Sequence, residues 1–342
     1  MHAGVQHTGL TLKAPHVAAH GSTTSRSLLL FDVSDGTHTG WGEASPLPGY
    51  SSHSLEDCQS ALLLAAQITR NSDPDKPESV LAQLPAAFPP QARAAVEVAL
   101  RDLAARRAAV PLWEFLGGTS PTPVSVSRLI GSTDPETAGR QAQEAINDGF
   151  TTIKIKVGLA DDLAVTAAVR SAVSAAPTLI ADANCAWTLD EAARRVEDLV
   201  AAGADLIEQP VWGIDAMRSL ADHQLPICLD EDVSDPEAFV APRAAQFACI
   251  KLQALGGVDS MIGAAKSARE VGMKVYSGST LDGPIGIAAA LHASVVINPD
   301  MASGLATIDA FEQTTNLDWV KEGKVSVPTG IGLGIDPLGT PC

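Results

Sequence analysis

Lys156, Asp182, Glu208, Asp230 and Lys251 each stand at the end of a short apolar run, in steps of 26, 26, 22 and 21 residues. An ionisable group that closes an apolar segment is expensive unless it is paired or binds a metal. Three carboxylates in succession, with room for water and substrate oxygens, suit a hard dication: Mg2+, with Mn2+ as the alternative. Lys154 lies two residues before Lys156, so in a strand the two point the same way. Ammonium groups beside a dication have depressed pKa values, and a lysine that is neutral near pH 7 is a usable general base. Such a set suits removal of a proton α to a carboxylate. A dication stabilises the two oxygens of the enediolate. A lysine on one face takes the proton, and a lysine on the other supplies charge or a proton. A small carboxylate is the expected substrate.

The elements that must position these groups are readable from the apolar beat. Candidate strands are Val124–Leu129, Thr152–Val157, Thr178–Ala181, Leu206–Ile207, Ile227–Leu229, Ala248–Lys251, Lys274–Tyr276 and Val295–Asn298. Between them lie helical stretches at Asp134–Asp148, Asp161–Ala175, Leu189–Ala202, Ala216–Asp222, Pro236–Ala241, Val258–Val271 and Gly286–Ala293. Strand–helix units repeated about eight times imply a parallel sheet closed into a barrel, whose chemistry sits at the C-terminal strand ends. No G-x-G-x-x-G follows the first strand, which argues against an open dinucleotide-binding sheet. In the ring, strands three, four and five are neighbours, so Asp182, Glu208 and Asp230 converge. Strands two and six lie opposite, so Lys156 and Lys251 face each other across the metal. Before Pro121 the texture differs. Ser27–Val33 and Thr39–Ala44 read as a hairpin around Asp35-Gly36, Ser54–Thr69 and Ala92–Ala108 as helices, and Pro74–Pro90 as irregular chain. Residues 1–120 thus form an α+β domain ahead of the barrel at 121–310.

The bulk numbers agree with an enzyme of this kind. Apolar residues make up 46% and aromatics 4%, so the core is aliphatic and the chain folds. A net charge of −17 argues against nucleic acid and anionic membranes as partners, since both need a positive patch. The five cysteines form no C-x-x-C pair and read as small buried hydrophobes. There is no basic-then-apolar leader at the N-terminus and no apolar run of about 18 residues, so a cytoplasmic location is expected. A homo-oligomer is compatible with the sequence.

The motifs around these residues resemble the enolase superfamily, in its muconate lactonizing enzyme subgroup. They are Gly40-Trp41-Gly42-Glu43, the A-x-E-x-A-L-x-D-L stretch Ala95–Leu103, K-x-K-V-G, Asp182–Trp187, Ile207-Glu208-Gln209-Pro210, Asp230-Glu231 and Ile250-Lys251. The resemblance covers nearly the whole chain. It implies a (β/α)7β barrel with an N-terminal α+β capping domain, and a segment 311–342 that packs back on the cap. It implies metal ligation by Asp182, Glu208 and Asp230, and catalysis by Lys156 and Lys251 with Lys154 in support. Gly42–Ser51 looks like the capping loop of o-succinylbenzoate synthases, as do Pro299-Asp300, Gly304-Leu305 and Asp309. Lys251–Gly257 looks more like muconate cycloisomerases and dipeptide epimerases. The epimerases carry a D-x-D near the last strand to hold a substrate amine, and only Asp300 stands in that region here. The implied activity is a dehydration by an o-succinylbenzoate synthase, with cycloisomerase or epimerase (racemase) as alternatives.

Weaker candidates remain. Ser277, Ser279 and Asn184 are candidate substrate contacts, and Tyr50 and Ser51 candidate lid residues. Arg128 is either a second carboxylate anchor or half of a surface ion pair. Cys185 is a nucleophile or, more simply, a packing residue. His7, His16 and His20 fit no single helix face and read as a flexible segment.

Overall fold

The computed structural model describes the whole chain except residues 19–20, 74–75, 77, 223–225 and 315–317. The N-terminal layer is a three-stranded antiparallel sheet of β1 (His2–Ala18), β2 (Gly21–Ser34) and β3 (Thr39–Ala44) in that order. The turn between β2 and β3 forms where expected, with Asp35 Oδ1 accepting from the amides of Thr37 and His38 at 2.8 Å. Helices α1 (Leu55–Asn71), α2 (Ser79–Gln83), α3 (Pro90–Arg107) and α4 (Leu112–Phe115) follow. Ser54 and Asp57 close a capping box on α1. Leu29, Phe31 and Val33 of β2 share a core with Leu62 of α1 and Leu103 of α3. Gly40 and Gly42 let β3 lie directly on α3: a Cβ at either position would collide with the backbone carbonyls of Ala99 and Ala95.

Two expectations for this layer change. Strand β1 was not anticipated, because its own pattern is weak; its register against the apolar β2 holds it. His7 therefore lies in a strand opposite Leu29, and His16 pairs with Thr23, rather than in a flexible segment; His20 lies outside the described residues. Within the stretch read as irregular, Ser79–Gln83 forms the short α2 around buried Val80, while 74, 75 and 77 lie outside the described residues.

A curled parallel α/β sheet follows. After the two-residue β4 (Val124–Ser125) come β5 (Arg128–Ile130), α5 (Pro135–Asn147), β6 (Thr152–Lys156), α6 (Asp162–Val173), β7 (Thr178–Asp182), α7 (Leu189–Ala201), β8 (Leu206–Glu208), α8 (Ile214–Asp222), β9 (Ile227–Leu229), β10 (Phe247–Lys251), α9 (Leu252–Leu255), α10 (Val258–Glu270), β11 (Lys274–Gly278) and α11 (Pro284–Ile297). Strands β5 to β11 form one seven-stranded sheet in chain order. Residues 303 and 304 run alongside Gly278 at the β11 edge and Val126 just ahead of β5, through the parallel bridges Gly278↔Gly304 and Val126↔Ser303. After α11 come β12 (Val320–Lys321) and β13 (Lys324–Val325); β12 pairs with β13, and β13 with β4.

Three barrel elements differ from expectation. The run Val124–Leu129 is not one strand: Val124–Ser125 pairs with the C-terminal strand Lys324–Val325 in a separate sheet, and the parallel sheet begins at Arg128. Val295–Ile297 is the last turn of α11, not a strand, with Asn298 as its left-handed cap. That helix is buried on nearly every side, so its β-branched end is apolar for packing reasons. Pro236–Ala241 makes turns rather than a helix. Among the described residues no helix is long and apolar enough to cross a membrane.

Candidate active site

Alternation along the strands sorts the side chains. Ile153 and Ile155 join the core shared with α5 and α6, so Lys154 and Lys156 take the opposite, inward face. Ile180, Leu206, Cys228, Cys249 and Tyr276 form one inner layer. Two residues further along each chain, Asp182, Glu208, Asp230, Lys251 and Gly278 form the next layer, at the C-terminal strand ends. A cavity of about 980 Å3 opens there, lined by Lys154, Lys156, Asp182, Asn184 and Lys251 with Tyr50 over them.

The charges interlock. Lys154 Nζ lies 2.8 Å from both Asp182 Oδ2 and Glu208 Oε1. Lys156 Nζ donates to Asp182 Oδ2 at 2.8 Å and to Asn184 Oδ1 at 2.7 Å. Lys251 Nζ donates to Asp230 Oδ2 at 2.6 Å and sits 4.3 Å from the centre of the Tyr50 ring. The Tyr50 hydroxyl donates to Asp230 Oδ1 at 3.2 Å. Tyr276 donates to Glu208 Oε2 at 2.7 Å. Gln209 fixes the backbone beneath Asp230, its Oε1 accepting from the Asp230 amide at 2.7 Å.

Burial works against the charges of Lys154, Lys251, Asp182 and Glu208, and the partners decide the outcome. Burial would lower Lys154 and Lys251, but the carboxylates around them raise both well above the ordinary lysine value. The depressed lysine values expected beside a dication are therefore not what the protein's own groups produce. Burial would raise Asp182, yet Lys154 and Lys156 hold it below the carboxylate range. Glu208 shares its lysine and is pushed up to about 7, by burial first and then by the charges of Asp182 and Asp230.

A divalent cation fits this donor set. Asp182, Glu208 and Asp230 are at most 1% exposed, and oxygens of Asp182 and Glu208 already converge on one cationic nitrogen. Ligand atoms of Glu208, Asp230 and Cys249 lie within 4.8 Å of one another. Hard oxygens at this density suit Mg2+.

The other candidates divide. Ser279 lines the cavity, with its hydroxyl bonded to Gly304 O at 3.1 Å and to Thr307 Oγ1 at 2.7 Å. Ser277 does not reach it. Tyr276 and Gly278 take the inward positions, so Ser277 turns outward and meets Ser294 Oγ of α11 at 2.7 Å. Asp300 also serves the scaffold, accepting from Val275 N at 2.9 Å and pairing with Arg269 at 3.0 Å. Ser51 holds the loop, accepting from Leu47 N at 3.0 Å and Gln91 Nε2 at 3.1 Å. Arg128 pairs in register with Ile153, stacks 4.6 Å from the Phe150 ring and lies 3.7 Å from Asp148, and it also lines the cavity that holds the lysines. Burial and nearby carboxylates push the Cys185 thiol up, which makes it a poor nucleophile. Cys58, Cys228 and Cys249 are buried as expected, whereas Cys342 is exposed. The sequence reading missed Tyr276, Gln209 and Glu231, the last of which accepts from Asn184 Nδ2 at 3.0 Å. Counting back two residues from Gly278 would have marked Tyr276 as inward.

Known proteins share this arrangement of chain. Residues 1–117 match the model for the mandelate racemase/muconate lactonizing enzyme N-terminal domain, and residues 137–339 the enolase C-terminal domain-like model. The L-Ala-D/L-Glu epimerase of Bacillus subtilis is 32% identical over 79% of this chain and 77% of its own. The o-succinylbenzoate synthase of Geobacillus stearothermophilus is 30% identical over 97% of this chain and 92% of its own. The chloromuconate cycloisomerase of Pseudomonas putida is 34% identical over 72% of this chain and 70% of its own. Among solved structures, a dipeptide epimerase from Enterococcus faecalis, complexed with Mg and L-Leu-L-Tyr, superposes with a TM-score of 0.87. It is 24% identical and covers 97% of this chain and 98% of its own.

Proposed function

The chain belongs to the mandelate racemase/muconate lactonizing enzyme family of the enolase superfamily, and from that premise we propose that it is a Mg2+-dependent lyase of the o-succinylbenzoate synthase type. Its substrate is a cyclohexadiene carboxylate, dehydrated through an enediolate. Residues 1–120 act as the cap and 121–310 as a (β/α)7β barrel closed through 303–304. Residues 311–342 return onto the cap. The bonds from Thr11 N to Gln313 Oε1 at 2.9 Å and from Leu333 N to Asp102 Oδ1 at 2.7 Å support that return.

The observation that carries the reading is the inequality of the two lysines. Lys251 is gripped by Asp230 and roofed by the Tyr50 ring, which favours the ammonium form. It acts as a fixed cation over one face of the substrate. Lys156, held by Asp182 and Asn184 and not roofed by Tyr50, acts as the base. It removes the α-proton and then returns that proton to the departing hydroxyl, which leaves as water. Asp182, Glu208 and Asp230 would hold Mg2+, which would supply the positive charge that stabilises an enediolate. Lys154 keeps Asp182 and Glu208 together. Two-base epimerisation would need Lys251 free to exchange protons, and Asp300, engaged by Arg269, is not disposed to hold a substrate amine. Within Lys251–Gly257, the stretch that resembles muconate cycloisomerases and dipeptide epimerases, Gly257 has a packing cause: a Cβ there would run into the Glu97 carboxylate. That weakens the case for muconate.

The test is turnover with Mg2+ of the cyclohexadiene precursor of o-succinylbenzoate, followed by its ultraviolet absorbance, with muconate and dipeptides in parallel. Loss of the precursor's absorbance is expected. Deuterium washed from solvent into both stereoisomers of a dipeptide, with no dehydration, would replace the lyase by an epimerase. Lactone formed from muconate alone would replace it by a cycloisomerase.

A further inference from the structure

We propose that Glu231 is a positioning residue for the base, acting on Lys156 through the side-chain amide of Asn184. The proposal rests on the reading of Lys156 as the proton acceptor.

The argument starts from what each group can do. An ammonium or amine N–H of lysine donates, and an ionised carboxylate only accepts. An amide does one of each, from opposite ends. Asn184 lies between Lys156 and Glu231, with Oδ1 2.7 Å from Lys156 Nζ and Nδ2 3.0 Å from Glu231 Oε1. Only one orientation of the amide satisfies both neighbours. Glu231 thus compels Asn184 to show its oxygen, not its NH2, to the lysine.

The lysine needs that oxygen. Its nitrogen has three directions beyond Cε. Asp182 Oδ2 takes one and Asn184 Oδ1 a second. The third is left to whatever occupies the cavity, and in the neutral amine this is where the lone pair points. An Asn184 amide turned the other way would set NH2 against Nζ, and the direction of the lone pair would be lost.

The backbone is built to present this amide. Asn184 and Cys185 both have left-handed φ values, 44° and 60°, an arrangement that costs energy in non-glycine residues. The bend is held by bonds from Asn184 N to Asp182 Oδ1 at 3.1 Å and from Cys185 N to Gln209 O at 2.8 Å. Asn184 and Glu231 are 6% and 8% exposed, so water offers little substitute for either partner. Glu231 is itself the neighbour of Asp230, but its route to the chemistry runs through Asn184 to the opposite lysine.

The test compares Glu231→Met, of similar length without a strong acceptor, with Glu231→Gln, which keeps one, and with Asn184→Ala. All are assayed on the substrate the wild-type enzyme turns over. A base misplaced by about 1 Å costs on the order of 100-fold in kcat. Glu231→Met and Asn184→Ala should each lose about that much with KM and calorimetric Mg2+ affinity unchanged, and Glu231→Gln should restore most of it. The double variant Asn184→Ala/Glu231→Met should be no worse than Asn184→Ala alone. Wild-type kcat in Glu231→Met or Asn184→Ala would overturn the proposal. So would additive losses in the double variant, or a fall in Mg2+ affinity that tracks activity, which would make Glu231 a servant of the metal. If the wild-type enzyme turns over none of the three substrate classes, the functional reading fails by itself. The positioning role is then read from a crystal structure of Glu231→Met: an unmoved Lys156–Asn184 contact would overturn it, and a released Nζ would support it.

Discussion

Two groups of buried carboxylates sit within this molecule, and they are satisfied in opposite ways. In the cage, Asp182, Glu208 and Asp230 face the ammonium groups of Lys154, Lys156 and Lys251. In the joint between the N-terminal layer and the sheet, the carboxylates face backbone amides, and Arg106 in addition pairs with Asp102 at 3.0 Å. Glu43 accepts from Gly283 N at 2.6 Å and Gly286 N at 3.2 Å at the start of α11. Glu97 accepts from Val258 N at 2.6 Å and Asp259 N at 3.0 Å at the start of α10. Asp102 accepts from Trp41 N at 2.9 Å and Leu333 N at 2.7 Å. Arg26 completes the joint from the other sign, donating to the carbonyls of Ser45, Pro46, Thr280 and Leu281. Residue types and burial are the same in both regions. The difference is the partner. A backbone amide at a helix N-terminus is fixed in place and also satisfies the helix end. A lysine tail can swing aside for a dication or a substrate. Buried acids on amides hold parts together; buried acids on lysines stay available for chemistry.

Three changes would break or sharpen this contrast. The largest effect is expected from Lys156→Ala. Loss of a general base costs about 10²–10⁴-fold in kcat, and steady-state kinetics should find that loss with an unchanged melting temperature. Full turnover would remove Lys156 from its role. Glu97→Ala should do the reverse. It leaves two amides without their acceptor, at a cost of roughly 1–3 kcal/mol, read by urea denaturation, with kcat close to wild type. A collapse of kcat without loss of stability would erase the distinction between the regions.

The smallest effect is a slope. Burial, then the charge of Asp282, pushes Glu43 up to about 7 from 4.5, and burial does the same to Glu97. The native state therefore holds these protons more tightly than the unfolded chain. Their contribution to stability is fully present below about pH 4.5, is lost as pH rises towards 7, and is flat above. Glu43→Gln should make that decline shallower in unfolding measurements from pH 5 to 8. An unaltered slope would mean that Glu43 is ionised in the folded protein throughout.

Much of the sheet was legible because its strands are apolar runs that end in charge. The spacing of Lys156, Asp182, Glu208, Asp230 and Lys251 is a direct image of the strand–helix repeat; Lys154, Lys156, Asp182 and Lys251 line one cavity, and Glu208 and Asp230 join them through ion pairs with Lys154 and Lys251. The closing segment was illegible for the opposite reason. Ser303 and Gly304 have no strand propensity; they lie between the β11 edge and the chain just ahead of β5 because Ser125, Ser127 and Ser277 offer them backbone partners. The apolar Val295–Ile297 nearby drew the assignment instead. Ser277 and Asp300 failed through facing, since composition at a strand end does not say which side of the sheet a residue takes. Glu231 was hidden because its function depends on Asn184, 47 residues away.

The joint also sets a timetable. Glu43 waits for amides some 240 residues downstream, Asp102 for one 231 downstream and Glu97 for one 161 downstream. At about 5–20 residues per second of synthesis, the N-terminal layer spends roughly 10–50 s outside the ribosome with its inward acids still in water. It cannot take its final form as a free-standing first product. The last helix and the tail of the chain supply the amides that the first layer's acids need, so a ribosome that stalls before residue 283 releases an N-terminal layer with Glu43 unpartnered by them.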